Sequence, residues 1–246
     1  MTLANYTKFN QYKTLIQTLP SITKETILKN EFLLEMDYKN NLEIYYAPFE
    51  YVNEHATVVI VGITPGLHQM KMSYSTVLEA NPADSDEEIL RQVKNNSSFE
   101  GTMRKNLITM LDELGLHEYL GLSSTIELFG KSSHLVHTTS IIEYPVFYKG
   151  KNFNGSRPSI LKTELLKKYV TDCFATEMRK LNYPLIIPLG VNVSNALLYL
   201  AEMGHLDSNN LLIGFPHPSG GNGHRHKQFE QNKESMKQML HSYFKI

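Results

Sequence analysis

The sequence predicts a single α/β domain: a central, mostly parallel four-stranded sheet with helices on both faces, preceded by a helical N-terminal extension. Four apolar runs, Thr57 to Val61, Leu135 to Thr139, Leu185 to Gly190 and Leu211 to Phe215, are separated by stretches with helical periodicity. That alternation is the pattern of a doubly wound sheet. Val58-Val59-Ile60-Val61 is continuously apolar, as a strand covered on both faces must be. Two of the runs lead into Gly/Pro turns, Gly62-Ile63-Thr64-Pro65-Gly66 and Gly214-Phe215-Pro216-His217-Pro218. Such turns expose backbone N–H groups at the C-terminal edge of a parallel sheet. At 246 residues the chain is long enough to bury one sizeable core, so one domain is expected over 1–246, with its core at 57–240.

In chain order, residues 1–50 read as an accessory helical layer, with helices over Tyr6 to Leu19 and Thr23 to Met36 broken by Pro20-Ser21. Leu42 to Ala47 has strand character. Asn81 to Asn96 mixes Pro, Asp, Ser and Glu and reads as irregular, then gives way to Met103, Leu107, Met110, Leu111 and Leu114 at helical spacing. Gly115 closes that helix. Tyr144 to Ser159 is rich in Tyr, Asn, Gly, Lys and Arg and reads as a long functional loop. Helices are expected over Leu161 to Leu181, Ser194 to Met203 and Gln228 to Tyr243, with Leu185 to Gly190 as a strand and glycine turn.

A net charge of −1 argues against a bulk polyanion-binding surface, so any nucleic-acid contact must rest on local basic clusters. Cys173 is the only cysteine, which excludes an internal disulfide and any four-cysteine zinc or iron–sulfur cluster. No apolar run approaches the roughly 18 to 20 residues needed to span a bilayer, and no signal-peptide pattern opens the chain. A soluble cytoplasmic protein without membrane partners is expected. His217, His224 and His226 lack acidic or cysteine partners at ligand spacing, so no metal is expected. Gly62-x-x-x-Gly66 is not a dinucleotide fingerprint, and no Gly-x-Ser-x-Gly elbow is present.

Four segments together resemble the uracil-DNA glycosylase superfamily. Gly62-Ile63-Thr64-Pro65-Gly66 is similar to its first motif in the form of the mismatch-specific branch, and His217-Pro218-Ser219 to its second. Phe99-Glu100-Gly101-Thr102-Met103-Arg104 through Leu116 is similar to the Phe-x-Gly segment and helix of the thermophile-type branch. Pro184 to Leu198 is similar to that branch's Leu-Gly strand, turn and helix. The resemblance spans Thr57 to Leu240 and implies DNA as partner, no cofactor, and a base pocket lined by Gly62, Ile63, Pro65, Gly66, Phe99, Thr139 and Glu143.

The resemblance also implies roles. A glycosylase extrudes a nucleotide, grips the base and cleaves the N-glycosidic bond. His217 would donate to the departing pyrimidine O2, a preorganised electrostatic contribution of the kind that commonly dominates catalysis. Phe99 would stack on the flipped base. The superfamily directs water from an Asp, Asn or Glu in the first motif, and here Thr64 stands instead, which cannot take a proton near neutral pH. Either turnover is slow or another carboxylate serves, Glu100 and Glu143 being the nearest by motif position. Thr139 matches the family's base-reading Asn, and a hydroxyl reads one edge atom where an amide reads two. Ser219, Gly220 and Gly221 permit close phosphate approach, and His224, Arg225 and Lys227 add positive charge. Lys149, Lys151 and Arg157 on the long loop would form a second wall.

The expectation is therefore a monofunctional glycosylase, since no lysine lies within either motif to form a Schiff base. It would leave an abasic site in base-excision repair or in defence against modified foreign DNA. A DNA- or nucleotide-binding member that kept the fold and lost the chemistry at Thr64 is the alternative, and a free-nucleoside or hypermodified-base enzyme is a third reading. The sequence leaves the oligomeric state open, with a monomer expected.

Overall fold

Valine and isoleucine fill the run that the sequence marks as doubly buried, and all five residues of Val58–Gly62 are buried. In the computed structural model, which describes residues 6–245, this run is the middle strand of a parallel sheet. The strands are β1 (Leu33–Asp37), β2 (Leu42–Tyr45), β3 (Val58–Gly62), β4 (Val136–Ser140), β5 (Val146–Tyr148), β6 (Lys151–Asn152) and β7 (Leu185–Pro188). The helices are α1 (Thr7–Gln17), α2 (Lys24–Ile27), α3 (Leu67–Glu79), α4 (Asp86–Ser97), α5 (Thr102–Glu113), α6 (Leu116–Tyr119), α7 (Glu164–Lys168), α8 (Ala175–Met178), α9 (Val191–Glu202) and α10 (Arg225–Phe244). Strand β3 pairs in parallel with β4, Gly62 opposite Ser140, and with β7, Val61 opposite Pro188.

Side chains of β3 alternate between two cores. Val59 and Val61 pack with α1, α3, α4, α8 and α9. Val58 and Ile60 pack with α5, α6 and α10. Full burial of such a side chain is worth about 1.5 to 3 kcal/mol, so one strand ties both layers together. The molecule is an α/β domain with helices on both sides of its sheets.

The parallel sheet has three strands, not four. The fourth expected strand, Leu211 to Phe215, is reduced to one parallel bridge between Leu211 and Ile186. Ile213 N–H turns back onto the Leu211 carbonyl at 2.8 Å and Gly214 takes φ +101°, so the chain leaves the extended state after one pairing. Most of the remaining strand content is antiparallel, in a second sheet ordered β1-β2-β5-β6.

That second sheet corrects two expectations. The first fifty residues are not a helical extension: beyond α1 and the four-residue α2, capped by Thr23, the expected helix to Met36 gives way to β1, which pairs with β2. Phe9, Tyr12 and Ile16 of α1 are buried in the main core, so the segment is integral to it. Residues 1–5 of that expectation, like residue 246, lie outside the described residues. The long loop expected from Tyr144 to Ser159 contains the β5–β6 hairpin, turned at Lys149 (φ +51°) and Gly150 (φ +70°). Paired positive φ values at a two-residue turn match the right-handed twist of the strands.

Two helical expectations shift as well. The irregular Asn81 to Asn96 stretch contains α4, with Ser85 Oγ accepting the Glu88 N–H at 3.2 Å and acidic side chains at 86–88 in its first turn. The expected helix from Leu161 to Leu181 runs through α7 and α8 with a π-helical stretch, Tyr169–Phe174, between them. Other expectations hold: α5 ends at Gly115 in the left-handed region (φ +80°), and β7 passes through Gly190 (φ +92°) into α9.

Candidate functional site

The C-terminal ends of β3, β4 and β7 share one edge, because all three strands run parallel. After β3 the chain turns through Ile63 to Gly66 into α3. Ile141 N–H donates to Gly62 O (3.0 Å) and Ile142 N–H to Ile63 O (3.1 Å), carrying the pairing past the end of β4. The Thr64 hydroxyl donates to Tyr144 O at 2.6 Å and accepts the Val146 N–H at 3.0 Å. Its proton is therefore committed to the frame of the turn. Gly66 N–H is capped by Gln69 Oε1 (2.8 Å) and Leu67 N–H by Asn152 Oδ1 (3.0 Å), which docks the β5–β6 hairpin on the start of α3. Gly155 lies over Ile63, where a Cβ would stand 3.1 Å from its Cδ1.

Phe99 lies against the end of β3. A Cβ on Gly62 would stand 3.0 Å from the ring Cε1 and 3.3 Å from Ser140 Oγ, so glycine is what lets the aromatic ring rest on the strand end. Phe99 holds φ +55° and is 4% exposed. A non-glycine residue in this region costs on the order of 1 to 3 kcal/mol and is held only when its surroundings over-determine it. Arg104 does the holding: its Nη2 donates to Ser98 O at 2.6 Å and to Asn95 O at 3.0 Å, and its guanidinium covers the Phe129 ring at 4.6 Å.

Behind Phe99 is a cavity of about 20 Å³ lined by Pro65, Gln69, Lys94, Thr138, Thr139 and Glu143 among others. That is room for one water. Lys94 is buried and donates to Thr138 O at 2.8 Å. Thr139 is 6% exposed, and its Oγ1 makes no hydrogen bond of good geometry, with the Glu177 carboxylate in reach. Burial, then the charge of Glu177, pushes the Glu143 carboxyl up to about 7, against Lys94, Lys8 and Tyr144. Burial followed by the charge of Glu143 pushes Glu50 up to about 8, against contacts from its own backbone, Tyr46 and Lys94, and both its oxygens are buried without a hydrogen bond of good geometry. Glu177 stays below the usual carboxylate range: burial opposes this, but the hydrogen bond to His137 Nε2 at 2.6 Å and the Lys94 ammonium outweigh it.

His217 sits beyond β7. Its backbone packs on Gly190, where a Cβ would stand 2.9 Å from the His217 Cβ, and Gly190 N–H donates to Phe215 O at 3.0 Å. Burial lowers the imidazole pKa, so the ring is neutral near pH 7. Nδ1 accepts the Ser219 N–H at 3.3 Å, which puts the single ring proton on Nε2. The loop is fixed by Asn222 Nδ2 donating to His217 O (3.1 Å) and Asn106 Nδ2 donating to Pro218 O (2.8 Å). Asn106 lies on α5, the helix that begins beside Phe99, so the aromatic turn and the histidine loop share one support.

Glu100, next to Phe99, hydrogen-bonds His68 Nε2 on the first turn of α3. Ser219, Gly220 and Gly221 lie on the rim, Gly220 near Thr102 at the start of α5. His224, Arg225 and Lys227 form the opening of α10, where His224 and Lys227 are exposed and Arg225 is half-buried. Neither α5 nor α10 has an acidic residue in its first turn or a side-chain cap. Lys149, Lys151 and Arg157 are exposed on and after the hairpin that borders Ile63. Among the described residues no group of three or more His, Cys, Asp or Glu is placed to hold a metal ion, and no helix is long and apolar enough to cross a membrane. A larger groove of about 830 Å³ lies at the opposite edge of the sheet, beside Tyr183, Leu198 and His205, and holds none of the sequence-predicted residues.

Neither a protein-family model nor a solved structure matches the chain. It is 40% identical over 245 residues to the protein described as "Uncharacterized protein YoxB" of Bacillus subtilis (strain 168), an alignment covering 98% of this chain and 95% of that protein. The chain belongs to the YoxB family.

In this YoxB-family chain the sheet edge brings Pro65, Phe99, Thr139 and Glu143 around one cavity, with Gly62 against the Phe99 ring and His217 beyond the neighbouring strand. Ile63 and Gly66 face the hairpin, and Thr64 braces the turn. Sequence reading missed His68, Lys94, Asn106 and Glu50. Lys94 follows Leu90 by four residues, on the apolar face of a helix, and Asn106 follows Met103 by three, so both left a local signal. Glu50 left none, because only the tertiary fold brings it to Glu143.

Proposed function

We propose that this chain is a monofunctional DNA glycosylase of the uracil-DNA glycosylase type, hydrolysing the N-glycosidic bond of an extruded pyrimidine. The observation that carries the reading is His217: a neutral imidazole, fixed through Nδ1 so that Nε2–H is the free donor, at the same strand edge as the Gly62–Gly66 turn and Phe99. As the C1′–N1 bond breaks, its electron pair passes to the base and charge gathers on O2, where Nε2–H donates. Water oxygen bonds C1′, and the proton it sheds is taken by the Glu100–His68 pair at the mouth. A positioned base of this kind contributes about 100- to 10,000-fold. The uncapped starts of α5 and α10, with Ser219 to Gly221 and the basic residues 224–227, suit backbone phosphates.

Admission of a pyrimidine requires the Phe99 turn to swing, since the cavity holds about 20 Å³. Gly101 at φ +89° faces open space, with nothing within 4 Å of its Cβ position, and gives the turn room on that side. The small cavity also favours a second reading, a DNA-binding protein of the same fold without turnover.

The two are separated by incubating single- and double-stranded oligonucleotides carrying uracil, mismatched thymine, hydroxymethylcytosine or its glucosylated form, followed by alkaline cleavage. Cleavage of one substrate by the wild type, cut about 100- to 1,000-fold in His217→Ala, is the expected result. Retarded DNA without cleavage across the panel would select the binding reading, and equal cleavage by both proteins would remove His217 from the mechanism.

A further inference from the structure

We propose that Glu143 reads the edge of the bound pyrimidine as an uncharged carboxylic acid, with Thr139 completing the contact, so that the pocket takes up base and proton together. The inference rests on the glycosylase reading and names how its pocket recognises a base.

Geometry supplies the first step. Glu143 and Thr139 both line the cavity behind Phe99, and Thr139 Oγ1 is a buried hydroxyl that makes no hydrogen bond of good geometry, with only the Glu177 carboxylate in reach. A buried polar atom short of well-placed partners is destabilising, and a ligand that pairs it well recovers that cost. Glu143 is recessed but not fully buried, and it belongs to the lining of the same cavity as Thr139 and Phe99.

Charge counting supplies the second. Three carboxyls, Glu50, Glu143 and Glu177, gather around one buried ammonium, Lys94. Glu177 keeps its charge through His137 and Lys94. Burial holds the Glu50 carboxyl up at about 8 against the contacts from its own backbone, Tyr46 and Lys94, so it is neutral near pH 7. The remaining groups acting on Glu143 are Lys8 from α1 and Tyr144 beside it, which favour its charged form, while its own field reaches Tyr169 and Cys173. The balance leaves its carboxyl up at about 7.

Recognition chemistry supplies the third. A carboxylic acid presents one donor beside one acceptor, the same pattern as a side-chain amide. It pairs with the N3–H and O4 of a uracil-type edge, or with the N3 and amino group of a cytosine-type edge. A carboxylate offers two acceptors and faces repulsion from O4 of the first or N3 of the second. Pyrimidines of either class are thus bound by the protonated form, and affinity falls as pH rises through the Glu143 titration.

The test measures binding of free uracil and free cytosine by calorimetry near pH 6 and near pH 8.5, with wild type and Glu143→Gln. With titration at about 7, one coupled proton predicts about a 30-fold weaker wild-type affinity at the higher pH. In Glu143→Gln, which keeps donor and acceptor side by side without titrating, the ratio between the two pH values should collapse to near one. Thr139→Val should weaken binding at both pH values about equally. Wild-type binding that is flat across this range overturns the inference and leaves the glycosylase reading standing, as does a full pH dependence surviving in a folded Glu143→Gln. Absence of binding by either base at both pH values, together with absence of oligonucleotide cleavage, overturns both.

Discussion

Thr64 shows how a residue can occupy a motif position and do a different job there. Its hydroxyl donates to Tyr144 O and accepts from Val146 N–H, so it joins the turn after β3 to the first residue of β5. Thr64→Val keeps the shape and deletes both bonds, leaving a carbonyl and an N–H of buried residues unpaired. Stability should drop by about 1 to 3 kcal/mol in chemical denaturation, whereas Thr64→Ser should stay within about 1 kcal/mol of wild type. A Thr64→Val protein of unchanged stability would show that the bridge contributes nothing. Sequence alone gave the hydroxyl's presence in the motif; its partners lie eighty residues on and left no local trace.

At the scale of elements, the strand end and the aromatic turn form one unit. Gly62 reads in the sequence as a turn glycine, but in the fold its lack of a side chain admits the Phe99 ring. Gly62→Ala would set a methyl 3.0 Å from Phe99 Cε1 and 3.3 Å from Ser140 Oγ, and the ring must yield. Overpacking of this sort costs about 1 to 3 kcal/mol. The expected outcome is lower stability with a displaced Phe99 in the structure of the variant; an unmoved ring would show the contact to be slack. Elements with strong local periodicity, such as α5, α9 and α10, were legible from the sequence, as was β3. The β1–β2 and β5–β6 pairings were not, because Leu33 to Asp37 does not alternate and Val146–Tyr148 is too short to signal itself. Leu211 to Phe215 shows the reverse failure: its composition is that of a strand, and the backbone bend at Ile213 and Gly214 breaks it.

For the whole molecule, the carboxyls gathered between α4, α8 and the second sheet couple stability to pH. Glu50 and Glu143 have folded-state values of about 8 and about 7 against 4.5 for the free side chain. A raised carboxyl means that the folded state holds its proton more tightly than the unfolded chain. The stability linked to that proton is fully present below pH 4.5 and is lost as pH rises through the folded-state values. Between those limits each group contributes a slope of at most about 1.4 kcal/mol per pH unit. Glu177, held low, acts oppositely, and its contribution is lost only as pH falls through its depressed value. Above neutrality the two raised groups therefore dominate this cluster, and the domain should unfold more easily in urea near pH 8.5 than near pH 6. Glu50→Gln is the discriminating variant, because the Glu50 carboxyl oxygens are buried and the residue is not part of the cavity lining. Its uncharged amide cannot ionise at alkaline pH, so the difference in stability between the two pH values should shrink markedly relative to wild type. An undiminished difference in a folded Glu50→Gln would place the pH sensitivity elsewhere. The same substitution also removes a neighbouring charge that raises Glu143 only once Glu50 ionises, so pyrimidine binding near pH 6 should change far less than stability near pH 8.5.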